Sequence, residues 1–152
     1  MTASTTVDRF RTAMEKGDHA ALEDLEELLT PDIRFYGSSR AVEGRDMVMG
    51  LFGVLLRTLE DFRYVGSYAG SCETSADGSE AESVVLVFRT TVGGKEIHGI
   101  DLLHFDGEGL IKEFTAMVRP QSAGEALEQA VVKGLVADGL VPPPAPPAPA
   151  AE

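Results

Sequence analysis

Apolar residues recur along this chain with two different periods, and the change of period marks the elements. Val7, Phe10, Ala13 and Met14 fall three or four residues apart, which predicts a first helix ended by Gly17. Asp18 is placed to cap a second helix, whose stripe of Leu22, Leu25, Leu28 and Leu29 opposes the acids Glu23, Asp24, Glu26 and Glu27. Thr30-Pro31 is expected to stop that helix, and residues 32–37 (DIRFYG) then alternate as a short strand with Ile33 and Phe35 on one face and Arg34 and Tyr36 on the other. The strongest helical stripe is Val48, Leu51, Phe52, Leu55, Leu56 and Leu59, within residues 44–59, as expected of a helix that covers a sheet.

Beyond residue 60 the period falls to two. Residues 62–68 (FRYVGSY) and 83–92 (SVVLVFRTTV) read as strands joined by a polar connection containing Asp77-Gly78. Gly93-Gly94 turns the chain into residues 95–106, and Asp106-Gly107-Glu108-Gly109 turns it into residues 110–119, which predicts a four-stranded antiparallel meander. Pro120 ends the last strand. Ser122 and Glu125 have the spacing of a capping box before a helix that carries Leu127, Ala130, Val131, Gly134 and Leu135 on one face.

Composition narrows the class. A chain of 152 residues with 43% hydrophobic content is sized for one core, so the sequence divides into a single domain over residues 1–138 and a tail over 139–152. Its residues 142–152 hold six of the eight prolines and no large apolar side chain, so they read as an extended, solvated segment. Thirteen Lys and Arg against 25 Asp and Glu give a formal charge of -12, which argues against nucleic acid and anionic membrane surfaces as partners. No run approaches the roughly 18 apolar residues of a membrane span. The start of the sequence has no basic stretch followed by an apolar one, and the single Cys72 has no internal partner, so a cytoplasmic protein is expected. One cysteine and three scattered histidines have no metal-ligand spacing, so neither metal nor cofactor is expected.

The order helix, helix, strand, helix and four-stranded meander resembles the nuclear transport factor 2-like fold, an α+β class that also includes ketosteroid isomerases, limonene epoxide hydrolases and SnoaL-like polyketide cyclases. The resemblance covers residues 7–120 and rests on Gly17-Asp18, LLTPDIRFYG, Val42-Glu43-Gly44-Arg45 and GIDLLHFDGEGLIKEFTAMV. It implies a curved, mostly antiparallel sheet forming a cone with the helices around one apolar pocket, and a homodimer paired through the outer face of the sheet.

Asp101 is the chief chemical candidate, because an acid between Ile100 and Leu102 in a buried strand is costly unless paired or used. Alternation puts Gly99, Asp101, Leu103 and Phe105 on one face and His98, Ile100, Leu102 and His104 on the other, so no His-Asp dyad is expected. Both of these histidines are expected at a dimer surface or exposed edge, and His19 on exposed helix surface. Arg34 is expected to make a surface pair with Asp32 or Glu113, and an outer polar cluster with Tyr36 and Arg119.

Ketosteroid isomerases use a tyrosine on the first helix, an aspartate base at the end of the first strand and a protonated aspartate in the meander. By resemblance Phe10 stands in the tyrosine's place and Gly37 near the base's, while Asp101 matches the protonated aspartate. The Arg-x-Asp and final aspartate of limonene epoxide hydrolases are likewise replaced, by Gly99 and Ala116. Both sets are incomplete. SnoaL-like cyclases rely on an acid reaching the pocket from the late strands, and the resemblance offers Asp101 for that role without the family's exact motif.

The implied pocket would be lined by Phe10, Met14, Phe35 and Phe52, and by Leu55, Phe88, Leu103, Phe114 and Ala116, with Ile33, Leu86 and Val118 adding to it. Such a wall suits a small hydrophobic molecule, or else these side chains fill the core. Asp101 is then either a neutral acid that hydrogen-bonds a carbonyl or epoxide oxygen, or a carboxylate kept for structure. Three functions follow: acid-assisted isomerisation, cyclisation or ring opening; non-catalytic small-molecule binding; and a dimeric scaffold.

Overall fold

A computed structural model describes residues 1–144; part of the proline-rich tail, residues 145–152, lies outside the described residues. Two helices open the chain, α1 (Ala3–Lys16) and α2 (His19–Glu26), followed by β1 (Leu29–Tyr36), β2 (Ala41–Glu43) and α3 (Arg45–Thr58). The meander is β3 (Glu60–Glu73), β4 (Glu80–Val92), β5 (Lys95–Phe105) and β6 (Ile111–Arg119), and α4 (Gln121–Ala137) follows it. The strands form one open sheet in the order β2-β1-β6-β5-β4-β3, with β1 and β6 parallel and every other neighbouring pair antiparallel. Register shifts at Glu60/Arg63 and Tyr64/Gly66 interrupt β3, which bends an edge strand.

The first helical turn is capped by Thr2, whose side chain accepts from the Thr5 N–H, and Gly17 closes α1 with φ 63°. Asp18 then caps α2 through the Ala21 N–H, as its position predicts. The second helix is shorter than its leucine stripe suggests. It ends at Glu26, and Leu29 pairs with Ile111 while the Leu28 carbonyl accepts from the Ile111 N–H. Parallel pairing with β6 thus captures two leucines from the helical pattern. Thr30-Pro31 lies inside β1, in the stretch where register with β6 slips between Leu29 and Arg34, so the missing proline N–H leaves no ladder bond unmade.

Two further differences are local. The β3–β4 hairpin is longer than the sequence reading, with ladder pairs out to Glu73 and Glu80, and its tip is organised by Asp77, which accepts from the Ser79 N–H and the Thr74 hydroxyl. The expected capping box does not form. Pro120 is the N-cap of α4, Ser122 lies within the helix, and Glu125 accepts from the Gln121 side chain instead.

Helices α1, α3 and α4 cover the inner face of the sheet. Phe10, Phe52, Leu86, Leu103 and Ile33 are fully buried there, each large apolar side chain contributing about 1.5–3 kcal/mol. Close backbone approach brings α4 onto α3: a side chain at Gly134 would overlap Val54. Packing continues past the helix, since Leu140 lies against Gly50 and Val141 also packs on the core.

The outer face is not uniformly exposed. His104 does lie opposite Asp101, as alternation requires, but it is completely buried rather than at an edge. The hairpin tip folds over it: Glu113 accepts from the Ser75 N–H at 2.8 Å and the Ala76 N–H at 3.0 Å, and His104 Nε2 donates to the Glu73 carbonyl at 3.1 Å. Glu113 is therefore buried and bound, and Arg34 pairs instead with Glu43, its cross-strand partner on β2, at 3.6 Å. His98 is half-buried beside Arg89, and His19 is exposed.

Candidate functional site

Asp101 sits mid-strand on β5, opposite Leu86 of β4 on one side and Ala116 of β6 on the other, with its side chain on the helix-covered face. It is 4% exposed and forms part of the wall of a cavity of about 110 Å³ beneath α4. The strand alternation read from the sequence therefore gives the acid its observed direction.

The residues expected around it divide into two groups. Met14, Phe35, Phe52 and Leu55 line the cavity from α1, β1 and α3, and Phe88, Phe114 and Ala116 line it from the sheet. Phe10 and Leu103 do not reach it. Both are fully buried behind the wall, with Phe10 packed edge-on to Phe52 at 6.1 Å and tilted against Phe114 at 5.7 Å. Ile33 and Leu86 are core residues in the same sense. The volume that the resemblance assigns to a pocket is thus partly filled by aromatic packing.

Gly99, two residues before Asp101, faces Phe88 across the β4–β5 ladder, and a Cβ there would overlap the Phe88 ring. The glycine lets that ring lie over the strand and form cavity wall. Gly37 also lines the cavity, at the end of β1, and supplies no side chain.

Tyr64 is the residue the sequence pattern does not single out. Its hydroxyl donates to Asp101 Oδ2 at 2.8 Å. Tyr64 lies on β3 beside the register shift at Tyr64/Gly66, and it is held by Phe62 edge-on at 4.9 Å and by the Arg11 guanidinium 5.8 Å over its ring. Its only sequence signal is the alternation with Phe62, which places both on the inner face.

Electrostatics follow from this burial. Loss of hydration pushes the Asp101 carboxyl up to about 7, against a smaller lowering by the Tyr64 hydrogen bond. Burial, and then the charge and hydrogen bond of Asp101, push the Tyr64 hydroxyl well above its ordinary value, so the phenol keeps its proton and remains the donor. Near neutral pH, Asp101 exists in both forms. The neutral form has an O–H to give to an acceptor in the cavity, and the ionised form is steadied by Tyr64.

At the mouth the wall turns polar, with Ser38, Ser39 and Arg40 from the loop after β1 and Glu128 from α4. The Ser39 hydroxyl donates to Glu128 Oε1, joining loop and helix across the opening. Among the described residues no three His, Cys, Asp or Glu side chains are grouped to hold a metal ion, and no helix is long and apolar enough to cross a membrane.

The sequence profile of the SnoaL-like domain family matches residues 7–114. No curated protein matches the chain. Among solved structures, a steroid delta-isomerase from Pseudomonas aeruginosa is 33% identical over 91% of this chain and 95% of that one, with a TM-score of 0.76. An uncharacterised protein with a cystatin-like fold from Silicibacter pomeroyi is 26% identical, covering 88% of this chain and 87% of that one, with a TM-score of 0.75. A de novo designed protein with a curved β-sheet is 17% identical over 90% of this chain and 99% of that one, with a TM-score of 0.65, and shares the fold alone.

Proposed function

The chain belongs to the SnoaL-like domain family, and from that membership we propose that it binds a small hydrophobic metabolite under α4 and hydrogen-bonds the metabolite's carbonyl or epoxide oxygen through neutral Asp101. The observation that carries this reading is Asp101, buried in a largely apolar wall with the Tyr64 hydroxyl bonded to it. A neutral carboxylic acid in such a wall donates to an oxygen that gains negative charge, which is stabilisation directed at a transition state. Acid-assisted isomerisation is the favoured reaction class, and the name of the Pseudomonas aeruginosa relative, a steroid delta-isomerase, supports it. A volume of about 110 Å³ favours a compact ligand, or one that extends through the mouth, since drug-sized sites run to about 300–1,000 Å³.

The test is Asp101→Asn, assayed for binding of a compact cyclic ketone and for turnover. Loss of both with the fold intact supports the reading. Unchanged binding and turnover with a lower melting temperature would leave Asp101 a structural residue. Binding retained by the unaltered protein with no conversion of any ketone or epoxide would favour the non-catalytic alternative.

A homodimer through the outer sheet face is proposed as well. Val85, Val87, Ile100 and Leu102 form a half-buried apolar strip there, flanked by Tyr68 at 71% and Met117 at 50% exposure. An apolar strip of this kind on an open sheet favours a second protein surface over water.

A further inference from the structure

Arg40 ends the turn that joins β1 to β2, which the Gly37 N–H closes by donating to the Arg40 carbonyl at 2.8 Å. Its neighbours fix its place: Ser39 is tied to Glu128 of α4, and Ala41 pairs with Tyr36 of β1. Arg40 lines the cavity beneath α4 and also a second hollow, of about 250 Å³, which continues along β2 past Met47, Leu135 and Val141. Val42 and Leu51 belong to both walls as well, so the two hollows adjoin beside Arg40. Together they fall within the range of about 300–1,000 Å³ usual for small-molecule sites, which the cavity alone does not reach. The acids on these walls are Asp101, Glu128 and Glu43. Each is engaged: Asp101 accepts from Tyr64, Glu128 accepts from Ser39, and Glu43 pairs with Arg34 at 3.6 Å. Arg40 is the one cation on either wall, and among the described residues it makes no ion pair.

We infer that Arg40 is a ligand-binding residue and that the ligand is a compact cyclic keto acid, its ring in the cavity and its carboxylate on the Arg40 guanidinium. This rests on the reading of the cavity as the site of a hydrophobic metabolite, whose ring carbonyl is then the oxygen that meets Asp101. A guanidinium presents a fork of N–H donors that fits the two oxygens of a carboxylate, and such charge-assisted bonds are about twice as strong as neutral ones. An apolar ring joined to an anionic group matches the order of the walls, apolar beneath α4 and cationic where the hollows meet. The Glu128 carboxylate is engaged by Ser39 rather than by Arg40, which leaves the guanidinium's charge uncompensated. The formal charge of -12 gives the protein as a whole no attraction for anions, so a carboxylate is held locally or not at all.

The probes are 4-oxocyclohexanecarboxylate, its methyl ester and cyclohexanone, with affinities for the full chain measured by NMR titration. The unaltered protein should bind the keto acid about tenfold more tightly than the ester or cyclohexanone, and the preference should shrink as salt rises. The ester keeps the size and removes the charge, so it separates the anchor from the fit of the ring. In Arg40→Gln the ratio of keto acid to ester affinity should fall to about one. Arg40→Lys keeps the charge without the fork, and should restore part of the ratio while controlling for folding. An unaltered protein that binds the ester and cyclohexanone with no preference for the acid overturns the inference and leaves the cavity reading standing. A preference that survives Arg40→Gln also overturns it, because the carboxylate is then held elsewhere. Binding of none of the three probes overturns the inference and the cavity reading together.

Discussion

Tyr64 on β3 and Asp101 on β5 belong to strands that do not pair with each other, yet their side chains meet at 2.8 Å across the width of β4. The Phe62 and Phe88 rings both pack edge-on to the Tyr64 ring, at 4.9 Å and 6.4 Å. That bond moderates the acid's behaviour, since it opposes in smaller measure the burial that raises the Asp101 pKa.

Tyr64→Phe removes the donor and keeps the ring. The Asp101 titration midpoint should rise above about 7, because the interaction that lowers it is gone. Stability above that midpoint should fall by about 1–3 kcal/mol, the usual cost of a buried polar group losing its partner. Carboxyl-carbon NMR titration and denaturant melts check the two together; a midpoint that falls would contradict the assignment.

Stability should depend on pH with a definite sign. Asp101 holds its proton more tightly folded than unfolded, so the folded state binds more protons between 3.8 and about 7 and stability falls as pH rises through that window. Above it the ionised acid costs on the order of 4 kcal/mol, because each tenfold gain in proton affinity on folding corresponds to about 1.4 kcal/mol. Asp101→Asn should remove this contribution. The difference in unfolding free energy between the variant and the unaltered protein should therefore move in the variant's favour from about pH 4 to about pH 7, then level off.

Glu113 should govern the hairpin tip rather than the cavity. Glu113→Gln leaves a neutral group where two N–H donors met a carboxylate, and amide exchange at Ser75 and Ala76 should speed up by about tenfold or more. Exchange at those two amides unchanged from the unaltered protein would mean that the ladder alone holds the tip.

Met117→Glu places a charge in the outer apolar strip. If two copies pair there, the mass by light scattering at micromolar concentration should drop from dimer to monomer with the fold intact by circular dichroism. A monomer mass for the unaltered protein would count against the pairing.

Much of the fold is legible in the residues because each signal is local: Gly17 and Asp18 separate two helices, paired glycines turn the meander, and alternation aims Asp101 inward. What is not legible depends on partners distant in sequence. Leu28 and Leu29 fit a helix as well as a strand until Ile111 pairs with them. His104 reads as an outward residue because the tip that covers it arrives from residues 73–76. Tyr64 reaches Asp101 only across an intervening strand, and no spacing rule reports that. Glu128 had a readable signal, an acid beside Leu127 and before Val131 on an apolar stripe, but only the structure brings Ser39 to it.

The Phe88 ring over Gly99 also bears on redesign. A water-activating Arg-x-Asp strand would need an arginine where Gly99 stands, and that side chain meets an aromatic ring before it meets any substrate. The exchange becomes sterically open only when Phe88 is made smaller in the same step, so the two positions form one unit of substitution. A library that varies them separately samples mostly clashes and cavities, whereas one that varies them jointly explores new chemistry on an intact sheet.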